Sequence, residues 1–77
     1  MKEFIEYIAK QLVDNPEGVA IDEKVDEDKK ILLSLKVNQT DIGKVIGKQG
    51  RTAQAMRVLL TAVAAKHGKR AVLEILD

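Results

Sequence analysis

Apolar residues recur with a helical period at the start of the chain. The spacing predicts an amphipathic helix over residues 2–13, because positions three and four apart share one face of a helix. The apolar face of this helix is formed by Phe4, Ile5, Ile8 and Leu12. We expect the helix to end before Pro16, since proline lacks an amide hydrogen and disfavours helical backbone at the preceding residue.

The pattern then changes to the alternation that is typical of strands. Residues 19–25 are partly β-branched, and residues 30–37 alternate between the two faces of a strand. One face of the second strand carries Ile31, Leu33, Leu35 and Val37. The short polar segment between the two strands predicts an antiparallel hairpin.

A second change of period predicts two more helices. The first is short, over about residues 41–47, with Asn38 or Thr40 as its capping residue. Its buried stripe is formed by Ile42, Val45 and Ile46. After the segment Gly47-Lys48-Gln49-Gly50, a long helix is expected to run to His67.

A third strand pattern completes the set of predicted elements. It covers residues 70–76 and follows Gly68, a residue that suits the position just past a helix end. The order α-β-β-α-α-β predicts an α+β fold, in which three helices pack on one face of a three-stranded sheet. A chain of 77 residues is expected to form a single domain, residues 1–77.

Composition and charge narrow the possible functions. Without cysteine, neither a disulfide framework nor a thiolate metal site can form, and His67 is the single histidine. We therefore expect no metal, no cofactor and no enzymatic activity. Residues 1–30 hold nine acidic and five basic side chains, whereas residues 31–77 hold three acidic and eight basic ones. This asymmetry indicates an anionic partner for the second half.

The chain shows no sign of a targeting or membrane segment. Acidic residues interrupt the N-terminal apolar positions, and no stretch approaches the roughly 20 apolar residues of a membrane span. We expect a soluble cytoplasmic protein.

Three glycines interrupt the helical part of the second half, at Gly43, Gly47 and Gly50. The last two suit a tight turn between helices, because glycine accepts unusual backbone angles. Gly43 lies four residues before Gly47, so the two are expected to stack and leave a strip of bare backbone. Either a neighbouring element of this protein fills that strip, or another chain approaches it closely.

Basic residues flank these glycines. Lys44, Lys48 and Arg51 lie beside the start of the long helix, where free amides and the positive end of the helix dipole favour an anion. A chain of phosphates is the ligand that this arrangement favours. A nucleotide-hydrolysis loop is not indicated, because three residues instead of four separate Gly43 from Gly47 and Gln49 stands where Ser or Thr should hold magnesium.

The segment VIGKQGRTAQAM, which ends at Met56, resembles the signature of KH domains. Their GXXG loop, here Gly47-Lys48-Gln49-Gly50, clamps about four nucleotides of a single strand. The element order resembles the type II KH fold, and the whole chain is similar to the KhpA (YlqC) family of small bacterial RNA-binding proteins. The resemblance implies non-catalytic binding of single-stranded RNA, as a post-transcriptional regulator or RNA chaperone. It also implies that the last strand runs parallel to the first.

The resemblance also implies the residues that bind RNA. The loop glycines would admit the phosphates, the residues between them would contact phosphate or sugar, and the flanking cations would add charge. Apolar neighbours would line a groove for the bases. The implied residues are Val37, Ile42, Gly43, Lys44, Ile46, Gly47, Lys48, Gln49, Gly50 and Arg51.

A second function class is protein interaction, in which the fold mainly mediates dimerisation. The long helix carries more apolar residues than one stripe needs, namely Val58, Leu59, Leu60, Ala62 and Val63. The family resemblance implies a homodimer, and a heterodimer with a larger KH-containing protein as a further partner. Two linked RNA sites would raise avidity without any new contact.

Overall fold

The computed structural model describes residues 1–76, and its elements follow the predicted order. The α-helices are α1 (Lys2–Leu12), α2 (Ile42–Ile46) and α3 (Arg51–Lys66). The strands are β1 (Ala20–Val25), β2 (Lys30–Lys36) and β3 (Arg70–Ile75). Short 3-10 turns lie at Pro16–Gly18, Gln39–Asp41 and Lys48–Gly50. The predicted α+β fold class is confirmed.

The sheet has β2 at its centre and β1 and β3 at its edges. β1 pairs antiparallel with β2, with Val25 opposite Ile31, which confirms the hairpin. β3 pairs parallel with β2, with Lys30 opposite Arg70. β3 is thus antiparallel to β1, and the expectation that the last strand runs parallel to the first is wrong. The reason is that α3 returns the chain to the end of the sheet where β2 begins, so β3 runs in the direction of its neighbour β2.

The core lies between one face of the sheet and the three helices. The sheet contributes alternate residues of the central strand and one residue of β3, namely Ile31, Leu33, Leu35 and Leu73, which are at most 5 % exposed. The helices contribute Ile5, Ala9, Val45, Met56 and Leu60. Burying alternate strand residues on one side confirms the predicted two-layer arrangement and leaves the other face of the sheet uncovered by this part of the chain.

The start of α2 differs from the prediction. The 3-10 turn Gln39–Asp41 leads directly into α2, so the residue before the helix is Asp41. Neither Asn38 nor Thr40 forms a side-chain capping bond, and that prediction is wrong. The end of α3 agrees with the prediction that Gly68 lies just past this helix, since Gly68 adopts a φ of +68° just after the last turn.

Residues 1–76 contain neither a membrane-spanning helix nor a metal-binding cluster. No helix in this range is long and apolar enough to cross a membrane. No group of three or more His, Asp or Glu side chains in it is placed to hold a metal ion. The same residues include one buried charged side chain, Asp41, which is 1 % exposed.

Candidate functional site

The loop between α2 and α3 has a backbone that glycine makes possible. Gly47 has φ 76° and ψ 174°, a region that residues with a side chain almost never occupy. Gly50 has φ 74° and ψ 11°, in the left-handed region. Gln49 also has a positive φ, 58°, which is uncommon for a residue other than glycine. The two glycines therefore allow a turn that reverses the chain within four residues.

Gly47 is also restricted by space. A Cβ atom at this position would overlap the hydroxyl of Thr52 and lie 2.9 Å from the Thr52 amide nitrogen. Real side chains do not approach backbone that closely, so any substitution would shift the first turn of α3. At Gly50 there is open space where a Cβ atom would lie, so glycine is favoured there only because of its positive φ.

Gly43 leaves an open strip of backbone beside the loop. Apart from its chain neighbours and the backbone of its own helix, no atom of the described chain lies within 4 Å of the position where its Cβ would be. The amide of Gly47 donates to the carbonyl of Gly43 at 2.9 Å, which places the two glycines one above the other as predicted. The strip is therefore not filled by another element of residues 1–76.

Backbone donors converge on the same loop. Within residues 1–76, no backbone carbonyl accepts a hydrogen bond from the amides of Lys48 or Gln49. α3 begins after Gly50 without a side-chain capping bond and with no acidic residue in its first turn. The positive end of the α3 dipole is thus uncompensated, an arrangement that favours a bound anion.

The cations near the loop fall into two kinds. Lys48 and Arg51 are exposed and form no ion pair with any other described residue. Lys44 is paired, because its Nζ atom lies 2.7 Å from Asp14 Oδ2 and 3.9 Å from Asp41 Oδ1. The hydrogen bond to Asp14 and the charge of Asp14 raise the pKa of Lys44. Partial burial lowers this pKa by less, and the charge of Asp41 raises it further.

The apolar residues assigned to a groove differ in how much surface they offer. Ile42 and Ile46 are half-buried on α2, and Ile42 packs against the core. Val37 is 5 % exposed and belongs to the core itself. Ile42 and Ile46 are thus partly accessible on the same short helix as the exposed Gly43, whereas Val37 is buried in the core.

Asp41 ties the site to the rest of the fold. Its carboxylate accepts hydrogen bonds from the backbone amides of Asp14, at 3.3 Å, and Asn15, at 3.1 Å. The side-chain amide of Asn15 donates a third bond at 3.0 Å. These bonds join the connection between α1 and β1 to the start of α2, only a few residues before the glycine loop.

The environment of Asp41 favours its charged form. Burial raises the pKa of Asp41, but the hydrogen bonds from the Asn15 side chain and the Asp14 and Asn15 amides, with the charge of Lys44, outweigh burial. The pKa therefore lies below the ordinary value of 3.8. A carboxylate with several donors is stabilised as an anion even when water is excluded.

Sequence reasoning missed Asp41 as a functional residue. An aspartate before a short helix suggests a capping residue of that helix, and this was the available signal. Its true partners lie 26 and 27 residues earlier in the chain. No local pattern predicts a pairing over that distance.

The fold and the loop define a class of protein. An α-β-β-α-α-β domain with Gly47-Lys48-Gln49-Gly50 between its second and third α-helices is a KH domain. Residues 2–75 match the family model described as KhpA/KhpB, KH domain. The chain belongs to this KhpA/KhpB family of KH-domain proteins. It is a non-enzymatic family, in agreement with the expectation that the chain is not an enzyme.

Curated relatives match over nearly their whole length. RNA-binding protein KhpA of Clostridium perfringens is 53 % identical over 99 % of this chain and all of that protein. RNA-binding protein KhpA of Aquifex aeolicus is 48 % identical over the full chain and 96 % of that protein. The protein of the same name from Chlamydia pneumoniae is 51 % identical over the full chain and 97 % of its own. No solved structure matches the chain significantly.

The lowered pKa of Asp41 predicts a pH dependence of stability. A carboxylate whose folded-state pKa is depressed stabilises the fold above its unfolded value, and this stabilisation is lost as pH falls through the folded value. We expect Asp41→Asn to lower the free energy of unfolding at neutral pH. The difference from the wild type should shrink as pH falls below 3.8, because the wild-type carboxylate is then being protonated. Urea denaturation at a series of pH values measures this difference.

Glu17→Gln is a matched control for this experiment. Glu17 is exposed, so neutralising it should leave the pH profile of the wild type almost unchanged. A constant difference between wild type and Asp41→Asn down to the lowest pH would contradict the role assigned to the Asp41 charge.

Proposed function

We propose that the chain binds single-stranded RNA through the loop Gly47-Lys48-Gln49-Gly50, without catalysis. The names of the curated relatives support RNA as the ligand. The observation that carries the proposal is the loop itself, which combines the start of α3 with backbone amides and two cations that have no partner within residues 1–76. The cellular role proposed with it is post-transcriptional regulation or RNA chaperoning in the bacterial cytoplasm.

The proposed contacts follow from the geometry of the loop. Phosphate oxygens accept hydrogen bonds from the amides of Lys48 and Gln49, and the side chains of Lys48 and Arg51 supply positive charge. The RNA backbone passes over the open strip at Gly43, where no Cβ atom stands in its way. Bases rest against the half-buried aliphatic surface of Ile42 and Ile46. KH domains clamp about four nucleotides in this manner.

The ion pair with Asp14 reduces the contribution that Lys44 can make to phosphate binding. The Lys44 ammonium is held by Asp14 at 2.7 Å, so a phosphate must compete with a carboxylate that is already in place. Asp14 is 75 % exposed, and its own charge also opposes an approaching phosphate. Lys48 and Arg51 therefore provide more of the phosphate attraction than Lys44.

A second candidate function is protein assembly, favoured by the outer side of α3. Val58 is 58 % exposed and Leu59 is 47 % exposed there. Val58 also lines a shallow cavity of about 350 Å³, whose other lining residues are Ala62, Ala65 and the polar Gln54, Arg57 and Thr61. The proposed occupants are a second copy of this chain, giving a homodimer, or a larger KH-containing protein. Such assembly would supplement RNA binding, because one KH domain contacts few nucleotides and gains avidity from a second.

Changing Lys48 and Gln49 to Asp together tests the loop. We expect the affinity for single-stranded RNA to fall by roughly a hundredfold or more, because two carboxylates replace a cation and a polar side chain beside the phosphates. Both residues are exposed, so the fold should be retained. The measurement is a gel-shift titration of a labelled, sequence-randomised single-stranded RNA pool, with circular dichroism to check the fold.

The double variant Lys2→Asp with Gln11→Asp is the control for that change. It makes the same alteration of charge on exposed positions of α1, and it should reduce affinity only slightly. Unchanged RNA affinity in the folded loop variant, or an equal loss in the α1 variant, would refute the loop assignment.

Gly43→Ala tests the open backbone strip. The added methyl group meets no atom of the described chain, and alanine favours helix by roughly 0.5–1 kcal/mol over glycine, so stability should hold or rise. We expect RNA affinity to fall severalfold nonetheless, since the methyl group occupies the space proposed for the RNA backbone. Thermal unfolding and RNA titration of the same sample separate the two effects. Equal RNA affinity in wild type and variant would remove Gly43 from the site.

Asp14→Asn tests the competition for Lys44. Releasing the ammonium should raise RNA affinity and make its logarithm fall more steeply with the logarithm of salt concentration, by about 0.7 for one additional phosphate contact. The backbone amide of Asp14 still donates to Asp41 in this variant, so the anchor is kept. The same substitution in a Lys44→Ala background is the control, and the steeper salt dependence should disappear there. A gain of equal size in both backgrounds would show that Asp14 acts by general repulsion alone.

A further inference from the structure

A cavity of about 540 Å³ opens at the end of the sheet where β2 begins. It lies between the turn that joins β1 to β2 and the connection that joins α3 to β3. A volume of this size is typical of sites for small molecules. We term this cavity the end cleft. Its lining residues are Glu23, Val25 and Ile31 of the strands, Asp28 and Lys29 of the turn, and residues 67–70 at the start of β3.

Both rims of the end cleft are held by hydrogen-bonded turns. In the turn between β1 and β2, the carboxylate of Asp26 accepts hydrogen bonds from the amides of Asp28 and Lys30, each at 2.9 Å. On the other rim, the amide of Lys69 donates to the carbonyl of Ala64 at 2.8 Å and so closes the end of α3. The positions of the two rims therefore do not depend on contacts across the cleft.

The strand residues give the cleft an aliphatic surface. Val25 lies directly opposite Ile31 in the strand register, so the two side chains share the face of the sheet that is turned towards the helices. Ile31 is buried, whereas Val25 is 60 % exposed, which shows that the helices leave this end of β1 uncovered. An exposed valine beside a buried isoleucine offers apolar contact to a ligand in the cleft.

Charged side chains of both signs line the end cleft without pairing. The cations are Lys29, Lys69 and Arg70, and the carboxylates are Glu23 and Asp28. All five are exposed, and none of them forms an ion pair with another residue in the range 1–76. Three cations and two carboxylates give these groups a net charge of +1. The cleft is thus suited to a ligand that is anionic at one point and donates hydrogen bonds at another.

His67 supplies the cleft with a flat aromatic ring. It is the single histidine of the chain, and the other aromatic rings, Phe4 and Tyr7, belong to α1. A metal site does not account for this histidine, because no group of three or more His, Asp or Glu side chains within residues 1–76 is placed to hold a metal ion. Nucleic-acid bases stack on imidazole rings. His67 and Val25 therefore offer a base one aromatic and one aliphatic contact.

A nucleoside phosphate carries every group that these side chains recognise. Its phosphate is an anion that lysine and arginine bind, and its base is flat enough to stack. Adenine, cytosine and guanine also carry an exocyclic amino group that donates to a carboxylate. Uracil has a carbonyl oxygen in place of the amino group of cytosine, and a carboxylate repels that oxygen. Glu23 and Asp28 should therefore favour the three amino-bearing bases over uracil.

We propose that the end cleft binds a nucleoside phosphate whose base carries an amino group. The phosphate lies against Lys29 and Lys69, the base stacks on His67, and the amino group donates to Glu23 or Asp28. The site goes beyond the RNA contact proposed for the glycine loop, because α3 has 16 residues and separates the two by about 24 Å. A free nucleotide and a nucleotide within an RNA chain present the same groups, so the experiment distinguishes these two sources.

Titration with AMP, CMP and UMP, followed by heteronuclear NMR, tests the proposal. We expect AMP and CMP to shift the amide signals of Gly68 and Lys69 in a saturable way. CMP and UMP are a matched pair of pyrimidines, and UMP should bind more weakly by about fivefold or more because its base lacks the amino group. Inorganic phosphate should also bind more weakly than AMP, since it has no base to stack.

Three variants assign the parts of the cleft. Lys69→Glu should weaken AMP binding by about tenfold, and His67→Ala should weaken it by about fivefold. Glu23→Gln with Asp28→Asn should remove most of the preference for CMP over UMP, because a carboxamide can both donate and accept. Lys66→Glu is the control, since Lys66 lies at the same end of α3 but does not line the cleft, and AMP affinity should change little. Thermal unfolding checks that each variant is folded.

The loop variant Lys48→Asp with Gln49→Asp separates the end cleft from the glycine loop and identifies the source of the nucleotide. AMP should bind this variant as tightly as it binds the wild type. If an adenine tetranucleotide also shifts the signals of Gly68 and Lys69 in this variant, the occupant is part of an RNA chain. If AMP alone does so, the occupant is a free nucleotide.

Four results would overturn the proposal. The absence of any saturable shift at Gly68 and Lys69 would mean that the cleft binds no nucleotide. Equal affinity for AMP and inorganic phosphate would reduce the cleft to a contact for anions, and equal affinity for CMP and UMP would remove the carboxylates from base recognition. Loss of AMP binding in the loop variant would place the nucleotide at the glycine loop. In the first three cases RNA binding by the loop would stand, because the gel-shift titration measures it separately.

Discussion

The buried carboxylate of Asp41 is the interaction on which the position of the glycine loop depends. α2 has only five residues and cannot hold its place by its own hydrogen bonds. Asp41 accepts three hydrogen bonds from Asp14 and Asn15, so the connection after α1 and the start of α2 are joined. An ionised carboxylate in a site closed to water is stable only while such donors remain. The start of α2, a few residues before the loop, is therefore fixed by its hydrogen bonds to the segment that follows α1.

The acids around Asp41 also explain why Lys44 is less available to a phosphate than Lys48 and Arg51 are. Asp41 holds its negative charge beneath α2, and Lys44 on that helix pairs with it and with Asp14. Lys48 and Arg51 lie beyond the end of α2, where the glycine turn has carried the chain away from these acids. The turn thus separates Lys44, which pairs with acids of the fold, from Lys48 and Arg51, which have no ion-pair partner in the described part of the chain. A pattern of basic residues in sequence does not distinguish these two kinds.

Most of the fold could be predicted because its signals are local. Periodicity predicted each helix and strand to within a few residues, and the spacing of Gly47 and Gly50 predicted the turn that the structure contains. The errors concern contacts over long distances in the chain. The direction of β3 depends on where α3 ends, and the partners of Asp41 lie before β1. Val37 shares the strand face of Ile31, Leu33 and Leu35, and its burial with them in the core leaves little of its side chain for a ligand.

The two layers formed by residues 1–76 leave one face of the sheet uncovered, and that face must be compatible with water or with another chain. Alternating charges of both signs would serve solubility equally well in any order. On this face charges of both signs alternate, since the acidic Asp22 and Glu74 flank Ser34, while Lys30 lies between Asp26 and Arg70. The uncovered face therefore carries both signs of charge around the aliphatic pair Leu32 and Val72, a composition that is compatible with water.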